Sequence, residues 1–449
     1  MDLLHILMQG VADALPDFKA WGIEWATVAM FAALILLLLT GMPLAFVSLL
    51  VALIFALGWF GPSSVPLITS RIFSFVNSFV FVSVPMFVLM AAILDRSGIA
   101  RDLFDAMRLF GGRLRGGVAV QTLFVAVILA AMSGIIGGEV VLLGLLALPQ
   151  MLRLGYDRKL AIGVCCAGGA LGTMIPPSIV LIVYGLTANV SIGDLFTASF
   201  FPGLMLAGFY VAYVLIRSYL NHDLAPIAEQ GETDRGEVFR LLKGLALPLL
   251  VVVFVLGSIY GGIASVTEAS AVGVFGVTLS TVLRREFTWA MLYGAAKQTL
   301  STVGMIVWIG IGASALVGVF SLMGGVRLVE EVIIGFSENP TVIVLLMMAI
   351  LFVLGMFLDW VGIALLTMPI FVPIIVKLGL DPVWFGVVFC MNMQVSFLSP
   401  PFGPAAFYLK SVAPKDISLG EIFTALLPFI ALQILALSIL IMFPGITLR

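Results

Sequence analysis

Two proline pairs mark where this sequence could do chemistry. Pro176-Pro177 sits in GGALGTMIPPS (Gly168 to Ser178), and Pro400-Pro401 sits in NMQVSFLSPPF (Asn392 to Phe402). Each interrupts an otherwise apolar run of helical length. Proline lacks an N–H, and its ring clashes with the carbonyl four residues back, so each pair breaks its helix and frees acceptors. The freed carbonyls are expected at Gly172 and Thr173 in the first break, and at Ser396 and Phe397 in the second. In lipid, such groups are tolerated only where they face protein, water or an ion. Two interrupted helices in corresponding halves of one chain point to the binding site of a transporter.

The elements that must position these breaks are membrane helices. The 449 residues are 62% hydrophobic and 10% charged, with a mean hydropathy of +1.22. A soluble domain carries about a quarter charged residues. Barrel strands would alternate polar and apolar residues, so the chain reads as an all-α polytopic membrane protein. The near-neutral charge and scattered basic residues exclude nucleic-acid binding. Cys165, Cys166 and Cys390 lie in apolar runs without metal-ligand spacing, and His5 and His222 belong to no cluster. No basic segment followed by a short apolar core and a cleavage site opens the chain, so no cleaved signal is expected.

Apolar segments occur at 25–39, 43–60, 74–94, 118–152, 158–188, 196–216, 244–261, 266–283, 299–323, 341–377, 383–409 and 422–443. A crossing needs roughly 20 residues. Segments 118–152 and 341–377 are longer and are interrupted by SGIIGG (Ser133 to Gly138) and GMFLDWVG (Gly355 to Gly362). Each is either two crossings or a re-entrant hairpin. Basic residues concentrate in cytoplasmic loops. If both segments are hairpins there are about ten crossings, and only Lys19, Arg71, Arg327, Lys377 and Arg449 of the 22 basic residues fall outside. The hairpin reading is therefore adopted, with both termini periplasmic.

The chain also repeats itself. A shift of 224 places Pro149 on Pro373, Gly155 on Gly379, Asp157 on Asp381, Cys166 on Cys390 and the first proline pair on the second. The copies begin on opposite faces, so two inverted-topology repeats are expected, 1–222 and 244–449, joined by a cytoplasmic linker at 223–243. This architecture belongs to secondary transporters. Stretches 98–112 and 325–336 alternate apolar and charged residues at helical spacing and read as interfacial amphipathic helices.

Several motifs resemble those of one family, the large membrane subunit of tripartite ATP-independent periplasmic (TRAP) transporters. They are VPMFVLMAAILDRSGIARDL (Val84 to Leu103), GG..G..IPPS (Gly168 to Ser178), GGIASVTEASAVG (Gly261 to Gly273), MF.D with P...P (Met356 to Pro373) and N...S..SPP.G (Asn392 to Gly403). They cover nearly the whole chain in family order. The resemblance implies a sodium-coupled, elevator-type importer of a small organic anion in the ion-transporter fold of the inner membrane. It also implies two partners, a small four-helix membrane subunit and a periplasmic binding protein. One departure stands out. The first hairpin tip of many relatives resembles SGSS, whereas this chain has Ser133-Gly134-Ile135-Ile136-Gly137-Gly138 followed by Glu139. That looks like a divergent subgroup for 2-oxoacids, mannitol or chloroaromatics.

Sodium sites in transporters draw oxygens from unwound backbone ends. The first candidate site comprises Ser133, Gly134, Gly169, Gly172, Thr173 and Ile175. The second comprises Gly355, Met356, Asp359, Ser396 and Ser399. A competing reading is that the glycines serve helix packing. Asp359 and Glu139 start outgoing hairpin arms, where the helix dipole favours negative charge. Each has two readings, cation ligand or helix cap. Asn392, Gln394, Thr187 and Asn189 are candidate substrate contacts. No lysine or arginine lies beside either proline pair, so an anion would be held by backbone amides and sodium ions. Glu268 is expected to anchor a helix end or a subunit contact rather than touch substrate. The alternatives are a transporter working without a binding protein, a channel, which needs a continuous polar path, and a membrane enzyme. No catalytic cluster or phosphate-binding loop supports the last.

Overall fold

A computed structural model describes residues 2–99, 102–104, 114–134, 137–226 and 235–447. Most of the stretch 98–112 and the linker core 227–234 therefore lie outside the described residues, as do Ile135 and Ile136 of the first hairpin tip. Among the described residues all regular structure is helical.

The first group of helices is α1 (Asp2–Ala14), α2 (Gly22–Leu39), α3 (Leu44–Phe60), α4 (Val65–Val76) and α5 (Ser83–Arg96). Then come α6 (Gly117–Ser133) and α7 (Gly138–Arg153), which form a helical hairpin, followed by α8 (Arg158–Ala170), α9 (Ile179–Ala188) and α10 (Ile192–Leu220). The middle of the chain forms α11 (Arg235–Tyr260), α12 (Val266–Leu283), α13 (Trp289–Met323) and the amphipathic α14 (Gly325–Gly335). A second hairpin follows, α15 (Pro340–Gly355) with α16 (Trp360–Lys377), and then α17 (Pro382–Leu398), α18 (Pro404–Val412) and α19 (Leu419–Met442).

Among the described residues, seven stretches are long and apolar enough to cross a membrane as single helices: Gly22–Leu39, Phe79–Arg96, Ile192–Leu220, Val266–Leu283, Trp289–Met323, Trp360–Lys377 and Leu419–Met442. Length alone misses helices that are interrupted. It also assigns α16 a span, although α16 is one arm of a hairpin. Large apolar side chains such as Leu36, Phe254, Phe275 and Ile434 lie exposed, a burden for a water-facing surface but the ordinary state of a lipid-facing one. Helix α13 starts ten residues before the expected segment 299–323. At 35 residues it is roughly 52 Å long, more than one bilayer core requires.

Packing divides the helices into two bundles. Helix α13 packs along α3, α4 and α5, with α12 on α5. The second bundle contains both hairpins and both interrupted helices. In it α8 packs on α6, α7 and α19, while α17 packs on α10, α15 and α19. The bundles meet where α13 touches α16 and α5 touches α6.

The second bundle is built from one series of elements used twice, namely hairpin, broken helix and long helix. Local signals recur at equivalent places. Asp157 caps α8 through the N–H of Leu160 at 2.9 Å, and Asp381 caps α17 through that of Val383 at 2.6 Å. Ser191 and Ser418 cap α10 and α19 through the N–H groups of Asp194 and Glu421. Gly155 and Gly379 both take positive φ, and both Pro-Pro bonds are cis.

Candidate functional site

The first break is fully buried, since every residue from Leu160 to Gly185 is inside the protein. Helix α8 ends at Ala170, a 3-10 turn covers Leu171–Thr173, and α9 begins at Ile179. Proline 176 and 177 do free the backbone, but the local sequence recaptures part of it. The Ser178 hydroxyl donates to the Thr173 carbonyl at 2.6 Å. The Thr173 hydroxyl donates to the Ala170 carbonyl at 3.1 Å, and the Ile175 N–H to Leu171 at 3.0 Å. In the second break the Ser396 carbonyl accepts the Ser399 N–H at 3.2 Å. The carbonyls of Thr173 and Ser396 thus each accept one hydrogen bond from a neighbouring serine, leaving one of their two lone pairs for a further partner.

The first hairpin presses its tip into the first break. The carbonyl of Gly134 accepts the N–H of Ile179 at 3.5 Å. A Cβ on Gly134 would collide with the Pro177 carbonyl, and Gly134 has φ +57. Gly169 packs so closely on α7 that a Cβ there would lie 2.6 Å from the Val140 amide nitrogen. Gly172 faces Glu139, with its virtual Cβ 2.7 Å from Oε1 and 3.0 Å from Oε2. Close backbone approach is what glycine permits. The Ser133 hydroxyl donates to Glu139 Oε1. Ser133, Gly134, Gly169 and Gly172 therefore line one seam between hairpin and break, where Glu139 meets Ser133 and Gly172, and Thr173 lies in the turn next to Gly172. Ile175 is buried beside it, its side chain directed at Gly203 of α10.

The second hairpin treats the second break similarly. A Cβ on Gly355 would collide with Ser396. The Asn392 amide donates to the Met348 carbonyl on α15 at 3.0 Å. Phe357 and Phe402 meet edge-on, with ring centroids 6.2 Å apart. The Met356 N–H is taken by the carbonyls of Phe352 and Val353. Asp359 accepts the Val361 N–H at 3.1 Å and is the N-cap of α16. The hydroxyls of Ser396 and Ser399 turn back to the carbonyls of Asn392 and Val395. Unlike the first break, this one opens outward, with Pro400, Pro401, Phe402, Phe357 and Asp359 exposed.

The breaks lie side by side. The 3-10 turn Leu171–Thr173 packs on α6 and α17, and the Tyr184 hydroxyl donates to the Pro382 carbonyl at 2.6 Å. Tyr408 was not singled out from the sequence. Its ring covers Gly137 at the first tip, and it lies within electrostatic reach of Asp359 at the second. Its position just past the proline pair was the available signal. Asp95 was also missed: its carboxylate stands 3.4 Å from where a Gly138 Cβ would lie.

Two expected substrate contacts are not brought here. Asn189 ends α9 with φ 52 and lines a cavity of about 530 Å³ with Ser78, Ser191, Ser265 and Thr267. That cavity lies at the Phe79 end of α5, whereas Gly138 meets Asp95 roughly 24 Å along it. Thr187, whose hydroxyl donates to Val183 and Tyr184 carbonyls, sits at the same remote end of α9. The alternation of helical direction, not residue type, separates them from Asn392. Gln394 is fully buried with neither amide atom hydrogen-bonded. Glu268 joins Ser265 in a capping box, as its helix-end position suggested.

Comparison with known proteins gives a consistent result. A family profile described as "Tripartite ATP-independent periplasmic transporter, DctM component" matches residues 31–446. The C4-dicarboxylate TRAP transporter large permease DctM of Vibrio cholerae is 28% identical, over 94% of this chain and 96% of its own. The ectoine permease TeaC of Halomonas elongata is 30% identical, over 94% and 98%. The sialic acid permease SiaM of Vibrio cholerae is 28% identical, over 92% and 95%. Two solved transporters share the fold at 15% identity: Alcanivorax borkumensis YdaH (TM-score 0.62, 84% of this chain and 87% of that one) and Neisseria gonorrhoeae MtrF (0.64, 86% and 85%).

Proposed function

The chain belongs to the DctM component family of tripartite ATP-independent periplasmic transporters, and on that premise we propose that it is the permease of a sodium-coupled importer of a small organic anion. Members of this family are membrane permeases rather than enzymes, and they work with a small membrane subunit and a periplasmic binding protein. The observation that carries the reading is the pairing of each hairpin tip with its own proline break, Gly134 on Ile179 and Gly355 on Ser396. Backbone oxygens, hydroxyls and carboxylates converge at both places without a lysine or arginine in either break. Cations would balance that negative set and the charge of an anionic substrate, such as a 2-oxoacid or a C4-dicarboxylate.

In this reading the chain forms two inverted-topology repeats, with about ten crossings and two re-entrant hairpins, and with both termini periplasmic. The second bundle carries the substrate past the first as an elevator. Ser133, Gly134, Gly169, Gly172, Thr173 and Ile175 hold one sodium ion; Gly355, Met356, Asp359, Ser396 and Ser399 hold another. The residues fit hard cations, because the donors are all oxygens and one of them, Glu139 Oε2, is buried without a partner. Asn392 and Gln394 face the substrate between them.

The test is uptake by proteoliposomes containing both membrane subunits and the binding protein. Accumulation is expected only with an inward sodium gradient. Downhill flux that needs neither sodium nor the binding protein would instead favour a channel.

A further inference from the structure

Glu139 is 2% exposed, yet its surroundings do not account for its charge. Oε1 accepts the Ser133 hydroxyl, while Oε2 has no hydrogen-bond partner. No lysine or arginine among the described residues forms an ion pair with it. The nearest charged side chain on the neighbouring helix is another carboxylate, Asp95, which stands 3.4 Å from where a Cβ on the adjacent Gly138 would lie. Nor does it cap its own helix, since Oε1 is held by Ser133 and Oε2 meets no backbone N–H. Asp359, the N-cap of the second hairpin's outgoing arm, does cap, through the Val361 N–H. Instead the Glu139 carboxylate lies across the hairpin–break seam, against Gly172. A buried carboxylate with an empty oxygen either keeps its proton or takes a positive partner, and the site's oxygen donors fit the second.

Resting on the sodium reading above, we propose that Glu139 is the anionic ligand of the first cation site, and that its charge lets this half bind sodium before substrate arrives. One carboxylate among neutral oxygens suits a monovalent hard cation. The Ser133 hydroxyl and the backbone at Gly172 complete the near shell. With its negative charge built in, this site is neutral when filled and has no need of the substrate's charge. The ion also bridges α7 to the break at Gly172.

The test uses the full chain in nanodiscs without substrate. Radiolabelled sodium binding and thermal unfolding are followed over a sodium titration at constant ionic strength with choline. The wild type is expected to bind sodium saturably. Glu139→Gln weakens the apparent affinity by about tenfold or more, since it removes a full charge from a dry site. Glu139→Asp keeps most of the affinity, and Ser133→Ala loses about threefold to tenfold, as expected for loss of a neutral donor. Sodium affinity unchanged in Glu139→Gln, or in Ser133→Ala should Glu139→Gln not fold, overturns the proposal while the sodium reading stands. A wild type that binds no sodium and imports without it overturns both.

Discussion

The carbonyl of Gly134 accepts the N–H of Ile179 at 3.5 Å, joining the tip of the first hairpin to the first residue after the first proline break. This bond places the two irregular backbones in direct contact. The first site is therefore a seam between two elements that are distant in sequence, not a loop. Movement of the hairpin relative to α9 would open it.

Gly134→Ala should damage that seam twice, through its positive φ and through collision with the Pro177 carbonyl. A non-glycine residue in strained backbone costs about 1–3 kcal/mol. The expected outcome is a lower unfolding temperature together with loss of uptake, read by thermal unfolding in detergent and by transport in proteoliposomes.

Gly172→Ala should act on the ion more than on the fold. Its methyl would lie 2.7 Å from Glu139 Oε1, displacing the carboxylate. The sodium concentration for half-maximal uptake is expected to rise about tenfold, which corresponds to roughly 1.4 kcal/mol. Equal sodium dependence in wild type and variant would place the cation elsewhere.

Asn392→Ala and Thr187→Ala should behave differently, although the sequence proposes both as substrate contacts. Removing the Asn392 amide leaves the buried Met348 carbonyl without its 3.0 Å partner, at a cost of about 1–3 kcal/mol. Uptake should fall strongly. Thr187 lies at the far end of α9, so uptake by Thr187→Ala is expected to stay within about twofold of wild type, a surface-like effect of a few tenths of a kcal/mol.

Tyr184→Phe tests the contact between the two broken helices. Its hydroxyl donates to Pro382 at 2.6 Å, and its ring stacks on Phe389 at 5.8 Å. Losing the hydroxyl should cost about 1 kcal/mol and lower the unfolding temperature while the sodium dependence of uptake stays unchanged.

Much of this architecture was legible in the sequence because membrane physics leaves few options. The proline pairs located both breaks, and the interruptions at Ser133 and Gly355 located both hairpin tips within a residue or so. Capping signals such as Asp157 and Asp381 recur at their expected spacing. Four features were not legible. The recapture of the Thr173 carbonyl by Ser178 depends on local torsions that no pattern encodes. The role of Tyr408 depends on a contact between a hairpin and a broken helix within the second bundle, and that of Asp95 on a contact between bundles. The separation of Thr187 and Asn189 from Asn392 depends on which end of α9 meets the break. The unbroken start of α13 at Trp289 was hidden by Lys297 and Gln298, polar residues that read as a loop; Gln298 instead meets α5, where it accepts from Arg96 at 3.1 Å.

Sodium movement coupled to substrate tests the account most directly. Proteoliposomes holding both membrane subunits would be supplied with loaded binding protein and radiolabelled sodium, and both fluxes followed together. The account predicts that sodium enters with substrate, and that Gly172→Ala and Gly355→Ala, one in each half-site, both lower the coupled flux at sub-saturating sodium. Substrate accumulation at the wild-type rate without sodium entry, or full coupling in both variants, would contradict it.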